Sequence, residues 1–387
     1  MTFPSPLAQP PHVTPAAPPP APARRALPLP PPSRGRIVLW VIAALLTMIC
    51  ALVIAYLLTF LGTGASAVAA VLALFPLAIV LLAVRAIDRW EPEPRGLVIF
   101  ALAWGGIAAV AFALIIDTIV VLLASPALVP DVLSSVVQAP VVEEIGKGAG
   151  LLILFLAARR SFDGPIDGIV YGALIGAGFA FTENIIYFAS SLLTGGVGEA
   201  AFTFFLRGIL SPFAHVMFTA VIGYALGLAA RAGYGFGRSC ALWLVGLVGG
   251  IALHALWNGS ALFADFFALY ATLQVPLFVG AIIAVILLRR EEARLTRERL
   301  GEYAAVGWFA PAEVDMLATG AGRRQAVAWA RTLSGDRSRI MKTFISEATA
   351  LAAARQRVTT GRDRLAAADE RVYLERATAA REQLLAP

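Results

Sequence analysis

Charge is scarce in this chain. Lys, Arg, Asp and Glu make up 14% of its 387 residues, where soluble domains carry roughly 25%. Apolar residues reach 59% and the mean hydropathy is +0.78, so one aqueous core cannot hold the apolar surface and a bilayer must act as solvent. Only two cysteines occur, Cys50 and Cys240, both beside or inside apolar runs. That excludes a disulfide framework and a clustered metal–thiolate site. Neither Gly-x-Ser-x-Gly nor His-Glu-x-x-His occurs, so serine-hydrolase and gluzincin-type sites have no support. The net charge of +6 would suggest nucleic acid in a soluble protein; here the arginines flank apolar segments, and no nucleic-acid partner is expected.

Proline is concentrated at one end. Residues 1–33 hold thirteen of the 24 prolines, a composition that predicts a disordered or polyproline II cytoplasmic tail. The tail does not read as a signal peptide, because the first apolar run starts only after Arg36. Apolar runs then follow near 37–60, 65–84, 96–122, 132–157, 168–192, 202–230, 241–263 and 266–288. Most exceed the ~20 residues a helix needs to cross the hydrocarbon core. The expected fold is therefore an all-α polytopic membrane protein of about eight transmembrane helices, with a membrane domain over 34–290. Residues 291–387 change to an Ala-, Arg- and Glu-rich composition with helical periodicity and breaks near Gly320 and Gly335. They predict a small soluble helical appendage.

Arginine placement sets the orientation. Arg24, Arg25, Arg34 and Arg36 precede the first run, and Arg85, Arg89 and Arg95, then Arg159 and Arg160, then Arg231 and Arg238 fill alternate loops. Arg289 and Arg290 follow the last run, while the loops near 62–64, 125–131, 194–199 and 264–265 hold no Lys or Arg. By the positive-inside rule both termini are cytoplasmic, in a chain integral to the cell membrane.

Ionisable residues inside apolar runs are costly and mark function by default. They are Asp117, Glu143, Glu144, Lys147, Glu183, Arg207, His215 and His254. The chain has three histidines and two lysines, and two of those histidines and one of those lysines lie in this set. Glu143, Glu144, Glu183, His215 and His254 each lie about twelve to fifteen residues into their helices, which at ~1.5 Å per residue brings them to one level. Glu143 and Lys147 are spaced i,i+4 with the acid first, and Glu144 and Lys147 i,i+3, so both carboxylates can share one cation. His254 and Asn258 share a helix face. Bland readings stand beside these: a structural ion pair for Glu144–Lys147, interhelical partners for Asp117 and Arg207, a supporting hydrogen-bond role for Glu183, packing for Trp257 and Tyr187, and a helix N-cap for Asp167.

The run Glu143-Glu144-Ile145-Gly146-Lys147 resembles the EExxK motif of the PrsW family of membrane proteases, relatives of the CAAX prenyl endopeptidases and bacteriocin-processing enzymes. Phe179 to Asn184, containing Glu183, is similar to the family's second motif; His215 in Ser211-Pro212-Phe213-Ala214-His215 to its third; His254-Ala255-Leu256-Trp257-Asn258 to its fourth. The stretch Asp88-Arg89-Trp90-Glu91-Pro92-Glu93-Pro94 is also similar to a family signature. The prenyl-endopeptidase relatives carry His where this chain has Glu183. The resemblance implies a membrane endopeptidase acting on membrane-embedded or membrane-anchored proteins, with catalytic Glu143, Glu144, His215, His254 and Asn258. In that scheme Glu143 is the general base for water, His215 orients the water and shuttles its proton, and His254 and Asn258 meet the oxyanion. Lys147 and Glu183 support them. No cofactor is required, but family members are labelled metalloproteases, and zinc on Glu143, His215 and His254 is the alternative chemistry. A proton-coupled transporter is the rival of another class, weakened by the single depth of the polar groups and the lack of an inverted repeat of motifs.

The arginine pattern makes a direct prediction. Topology reporters fused at Gly198 and Ala264 should read external, and those at Arg160 and Arg238 internal; one reversed pair would overturn the eight-helix orientation.

Overall fold

The computed structural model describes residues 35–123, 130–263, 265–361 and 363–386. The proline-rich tail and most of the loop near 125–131 lie outside them. Every regular element among the described residues is helical. We label α1 (Gly35–Phe60), α2 (Thr63–Ile87), α3 (Arg95–Leu123), α4 (Ala139–Ala157), α5 (Pro165–Phe204), α6 (Ala214–Arg231), α7 (Phe236–Phe263) and α8 (Val275–Ala305). α9 (Pro311–Leu317), α10 (Gly320–Thr332), α11 (Ser338–Thr360) and α12 (Ala366–Leu385) complete the chain.

Among the described residues, six stretches are long and apolar enough to cross a membrane: Trp40–Phe60, Thr63–Ile87, Arg95–Leu123, Pro165–Arg231, Phe236–Ser260 and Phe266–Ala305. The difference from the expected eight has two physical sources. α4 is helical over 19 residues but carries Glu143, Glu144 and Lys147, and it is not among the six. Pro165–Arg231 is 67 residues long, about three times what one crossing needs, and it doubles back. Gly196 has φ 70° and ψ −161°, non-helical values inside α5. Contacts pair off almost symmetrically on either side of it: Ser191 with Thr203, Asn184 with Arg207, Gly176 with His215, Gly168 with Gly223. Pro165–Arg231 is thus an antiparallel hairpin cornered at Gly196. Pro76 is buried within an unbroken α2.

Glycine lets the two arms of the hairpin touch through their backbones. A Cβ on Gly168 would lie 2.0 Å from the Gly223 carbonyl oxygen, and one on Gly223 would lie 1.9 Å from that of Gly168. Gly168, Gly172 and Gly176 recur every four residues on α5, the small-residue stripe that allows close crossing in lipid. α2 packs against the same hairpin with its own stripe, Ala65, Ala69 and Ala73, which with Val53 and Leu57 of α1 covers Ile185 and Phe188. α5 begins at Pro165, three residues before the sequence reading placed it, because proline suits the first helical position. Asp167, read as an N-cap, instead sits at the third position, where Oδ2 accepts from the Gly164 N–H at 2.7 Å and the Asp163 N–H at 2.9 Å.

Four π-helical turns interrupt the membrane helices: Trp104–Ala109, Ser134–Gln138, Phe205–Leu210 and Tyr270–Gln274. A π turn frees a backbone carbonyl that lipid cannot solvate. Side chains meet three of them. Thr182 donates to the Gly106 carbonyl (2.8 Å), Asn258 to that of Ser135 (2.8 Å), and the Tyr270 hydroxyl to that of Leu210 (2.9 Å).

The Asp88–Pro94 stretch is a tight loop between α2 and α3. The Glu93 N–H donates to both Asp88 carboxylate oxygens, at 3.2 and 3.1 Å, and the Tyr171 hydroxyl donates to Glu93 Oε2. Burial pushes the Glu93 carboxyl well above its usual range despite the opposing Tyr171 bond.

The described residues divide into two units, one ending at Val285 and one starting at Ile286. The second has its own core, with Leu300, Tyr303, Leu317, Ala330, Phe344, Leu351 and Ala377 fully or almost fully buried. Gly335 and Gly361, both at positive φ, make two of its turns.

The hairpin contact predicts a steep steric penalty. Gly168→Leu and Gly223→Leu should each lower the thermal midpoint of the purified protein markedly or prevent its recovery, beyond the 1–3 kcal/mol of ordinary overpacking. Gly280→Leu, where an added Cβ meets nothing within 4 Å, is the control and should leave the midpoint unchanged.

Candidate active site

Four helices deliver the polar residues to one place. Glu143, Glu144 and Lys147 occupy one and a half turns of α4, whose glycines admit two indoles. Trp104 Nε1 donates to the Gly146 carbonyl at 3.0 Å, and Trp243 Nε1 to that of Gly148 at 2.9 Å. Those bonds fix how α4 is rotated between α3 and α7. His215 lies in the first turn of α6, just after the break at Ser211–Phe213, and Gly176 of α5 packs on its carbonyl. His254 lies within α7 and stacks on Phe218 at 4.7 Å between ring centroids. Glu183 comes from α5.

Lys147 is the hub. Its ammonium lies 2.6 Å from Glu144 Oε1, 3.3 Å from Glu143 Oε2 and 3.2 Å from His215 Nδ1, and 4.1 Å from the centroid of the Phe179 ring. Glu144 and Lys147 have no exposed surface. A bare charge there would be prohibitive, so pairing is a condition of the fold. Glu144 is fully engaged, since its Oε2 accepts from the Thr219 hydroxyl at 3.2 Å and its Oε1 also meets His254 Nδ1 at 3.0 Å.

These partners assign both imidazole tautomers. An ammonium can only donate, so His215 Nδ1 is an acceptor, and its Nε2–H donates to Glu183 Oε2 at 2.8 Å. The carboxylate of Glu144 can only accept, so His254 carries its proton on Nδ1 and leaves Nε2 bare. The result converges on one oxygen. Glu143 Oε2 lies 3.8 Å from His215 Nδ1 and 3.9 Å from His254 Nε2, at nearly equal spacing.

Not every residue expected here joins the cluster. The Asn258 amide donates to the Ser135 carbonyl, at the π turn that precedes α4. Asp117 accepts from Gln138 at 2.9 Å, away from the histidines. Arg207 donates from Nε to Asn184 Oδ1 at 2.9 Å, pairs through Nη2 with Glu183, and lies 3.9 Å over the Tyr187 ring. The sequence reading missed Thr219, which follows His215 by one helical turn and therefore shares its face. It also gave Phe179 no role, although its place four residues before Glu183 puts it beside the same site.

The donor set fits a divalent metal. Glu143, Glu144, His215 and His254 each offer a ligand atom, all within 4.8 Å of one another. Two imidazole nitrogens and a carboxylate are a common zinc set. Each histidine also gives its other nitrogen to a carboxylate, His215 to Glu183 and His254 to Glu144, the arrangement that orients metal-binding imidazoles. Glu143, His215 and His254 would be the ligands once the Lys147 ammonium gives up Glu143 Oε2 and His215 Nδ1, while Glu144 stays held by Thr219, His254 and Lys147.

Comparison with known proteins agrees with the motifs. Residues 93–286, about half of the chain, match the family model described as PrsW family intramembrane metalloprotease. Protease PrsW of Geobacillus kaustophilus is 32% identical over 147 residues, covering 37% of this chain and 58% of that protein. Protease PrsW of Clostridioides difficile is 30% identical over 157 residues, covering 40% and 62%. That of Bacillus subtilis is 37% identical over 79 residues, covering 20% and 33%. The chain thus matches less than two thirds of the length of these relatives, and no solved structure matches it. The matched segment contains the four motifs and the cluster built from them, and the chain belongs to the PrsW family of intramembrane metalloproteases.

Proposed function

We propose that this protein is an intramembrane endopeptidase that cleaves membrane-embedded or membrane-anchored proteins with a water activated at Glu143. The observation that carries this is the convergence of two unprotonated imidazole nitrogens on Glu143 Oε2, His215 Nδ1 at 3.8 Å, which also accepts from Lys147, and His254 Nε2 at 3.9 Å. The spacing is too long for direct hydrogen bonds and leaves the polar faces of three side chains turned towards one small volume. A water there can give its proton to Glu143 while it is held by an imidazole. Its oxygen attacks the peptide carbonyl carbon, and the proton passes from Glu143 to the leaving nitrogen as the C–N bond breaks. Lys147 supplies fixed positive charge beside the developing oxyanion. In its neutral tautomer His254 has no proton on the side facing Glu143. It can donate to the oxyanion only as an imidazolium, and Asn258 only by using its amide beyond the Ser135 bond.

A second reading shares these residues. The carboxylate-backed histidines suit a metal held by Glu143, His215 and His254. When bound, such an ion would lower the pKa of water and polarise the scissile carbonyl. In this reading Glu144, Glu183 and Lys147 keep the ligands oriented and the local charge balanced.

Side-chain exposure rises from 0% at Glu144 and Lys147 to 12% at Glu143 and 26% at Arg207. Counting α4 as a crossing, and Pro165–Arg231 as two, gives eight crossings, an even number that leaves both termini on one side, which the arginine pattern reads as the cytoplasm.

Glu143→Gln keeps size and hydrogen bonding while removing the base, and it should cost at least about 100-fold in rate, as should His215→Ala. The double variant should be scarcely worse than either single one, because the two act on one water. Lys147→Ala should reduce recovery of folded protein, since it strands two buried carboxylates. Trapping with Glu143→Gln supplies a membrane substrate, and cleavage by purified protein is then measured with and without chelator, alongside metal content. Chelated, metal-free protein that still cleaves supports the water-at-Glu143 reading. Stoichiometric metal whose removal abolishes cleavage selects the second, and a fully active Glu143→Gln would defeat both.

A further inference from the structure

The geometry assigns to Arg207 the role of a positioning residue that sets the tautomer of His215, acting through Glu183. Arg207 stands in the π turn Phe205–Leu210, opposite Asn184 across the hairpin. A π turn re-aims the side chains it carries, and Tyr270 holds this one by bonding the Leu210 carbonyl. The guanidinium is then fixed at three points: Nε on Asn184, Nη2 on Glu183, and its face over Tyr187. A planar fork with a stacking face is held by such a triangle, whereas an ammonium would satisfy only one side of it.

What this fixes is a single carboxylate oxygen. Glu183 Oε2 is the atom paired with Arg207 and also the atom that accepts His215 Nε2–H at 2.8 Å. While that oxygen stays in place, the proton of neutral His215 stays on Nε2, and Nδ1 presents its lone pair to Lys147 and towards Glu143. Without Arg207 the carboxylate is free to turn towards Lys147, the other cation of the cluster. That turn also draws the Lys147 ammonium off His215 Nδ1, so Nε2 loses its acceptor and Nδ1 its donor, and the imidazole can move its proton to the inner nitrogen, where it would block the approach of water or metal. Arg207 touches none of the groups proposed to react and acts only through Glu183.

Histidine is so rare in this chain that the tautomer can be read directly. In a His12→Gln background only His215 and His254 remain, and 15N-histidine labelling of the full-length, chelated protein in lipid nanodiscs gives two imidazoles to follow. The parent should show His215 protonated at Nε2 and bare at Nδ1. Arg207→Gln should shift His215 towards the Nδ1–H form while leaving His254 unchanged. Glu183→Gln, whose amide can donate to Nε2, should shift it further. For activity, which rests on the peptidase reading, Arg207→Gln should lower kcat about 10–100-fold, the usual cost of losing such a support, with little change in KM. Arg207→Lys, which keeps a charge at the position, should fold and give an intermediate tautomer and rate; Asn184→Ala, which removes one anchor, should move both the same way. A His215 signal that stays in the parent form in folded Arg207→Gln or Asn184→Ala overturns the inference, even if Glu143→Gln confirms the peptidase. A shifted tautomer in a protein that never cleaves peptides would uphold it and sink the peptidase reading alone.

Discussion

An ammonium ion buried between two carboxylates within the apolar interior is the constraint on which this molecule is organised. Lys147 has no exposed surface, yet it sits within 3.3 Å of Glu143, Glu144 and His215 Nδ1. In such surroundings each charge is tolerable only if its partner is present and correctly placed. The partners come from neighbouring helices: Thr219 and His215 from α6, His254 from α7, Glu183 from α5. Packing of the four helices and neutralisation of the charges are therefore one requirement. Glu143, Glu144 and Glu183 face Lys147 and Arg207, with two imidazoles between them. Three carboxyl groups thus meet two fixed cations, an excess that a proton or a divalent cation would offset.

The sequence made this cluster legible because its chemistry is incompatible with lipid. Glu143, Glu144, Lys147, His215 and His254 stand out in apolar runs, and helical spacing alone brings Lys147 under both acids, as the structure shows. The all-helical fold followed from run length and composition in the same way. Other features left no such mark. Nothing in the run ending at Gln138 signals a π turn, so the demand for the Asn258 amide by the Ser135 carbonyl could not be read. Asp117 looked like Asn258, a polar residue in an apolar helix, and its partner Gln138 is set by the same turn. Arg207 could be recognised as an interhelical partner, but not as the partner of the carboxylate that holds His215. The glycines at 168, 172 and 176 were a readable signal, and they account for the backbone contact of the hairpin.

The π turns deserve comparison with one another, because they recur where helices meet near the site. Each adds a residue to its turn and leaves a carbonyl that the bilayer cannot satisfy. Thr182, Asn258 and Tyr270 supply those donors from a different helix in every case. Polar side chains that would be liabilities on a lipid-facing helix thus become cross-links between helices. Two of the three turns lie directly before polar clusters or within them: Ser134–Gln138 precedes α4, and Phe205–Leu210 carries Arg207.

The backbone contact between Gly168 and Gly223 also decides which part of the bundle is rigid. Two strips of main chain in van der Waals contact have no soft layer between them, so these arms cannot slide or part without losing the whole seam. α5 and α6 are thereby a keel, with the other helices as planking. The stretch from Phe266 is the reverse case. Its apolar flank lies almost wholly outside the bundle, and it is tied to its neighbours by Gln274 on Ser260, Tyr270 on Leu210, and the Phe278 ring between Phe213 and Trp257. Beside the fixed keel, this helix is held by two hydrogen bonds and a ring contact, so that side of the wall is the softer one.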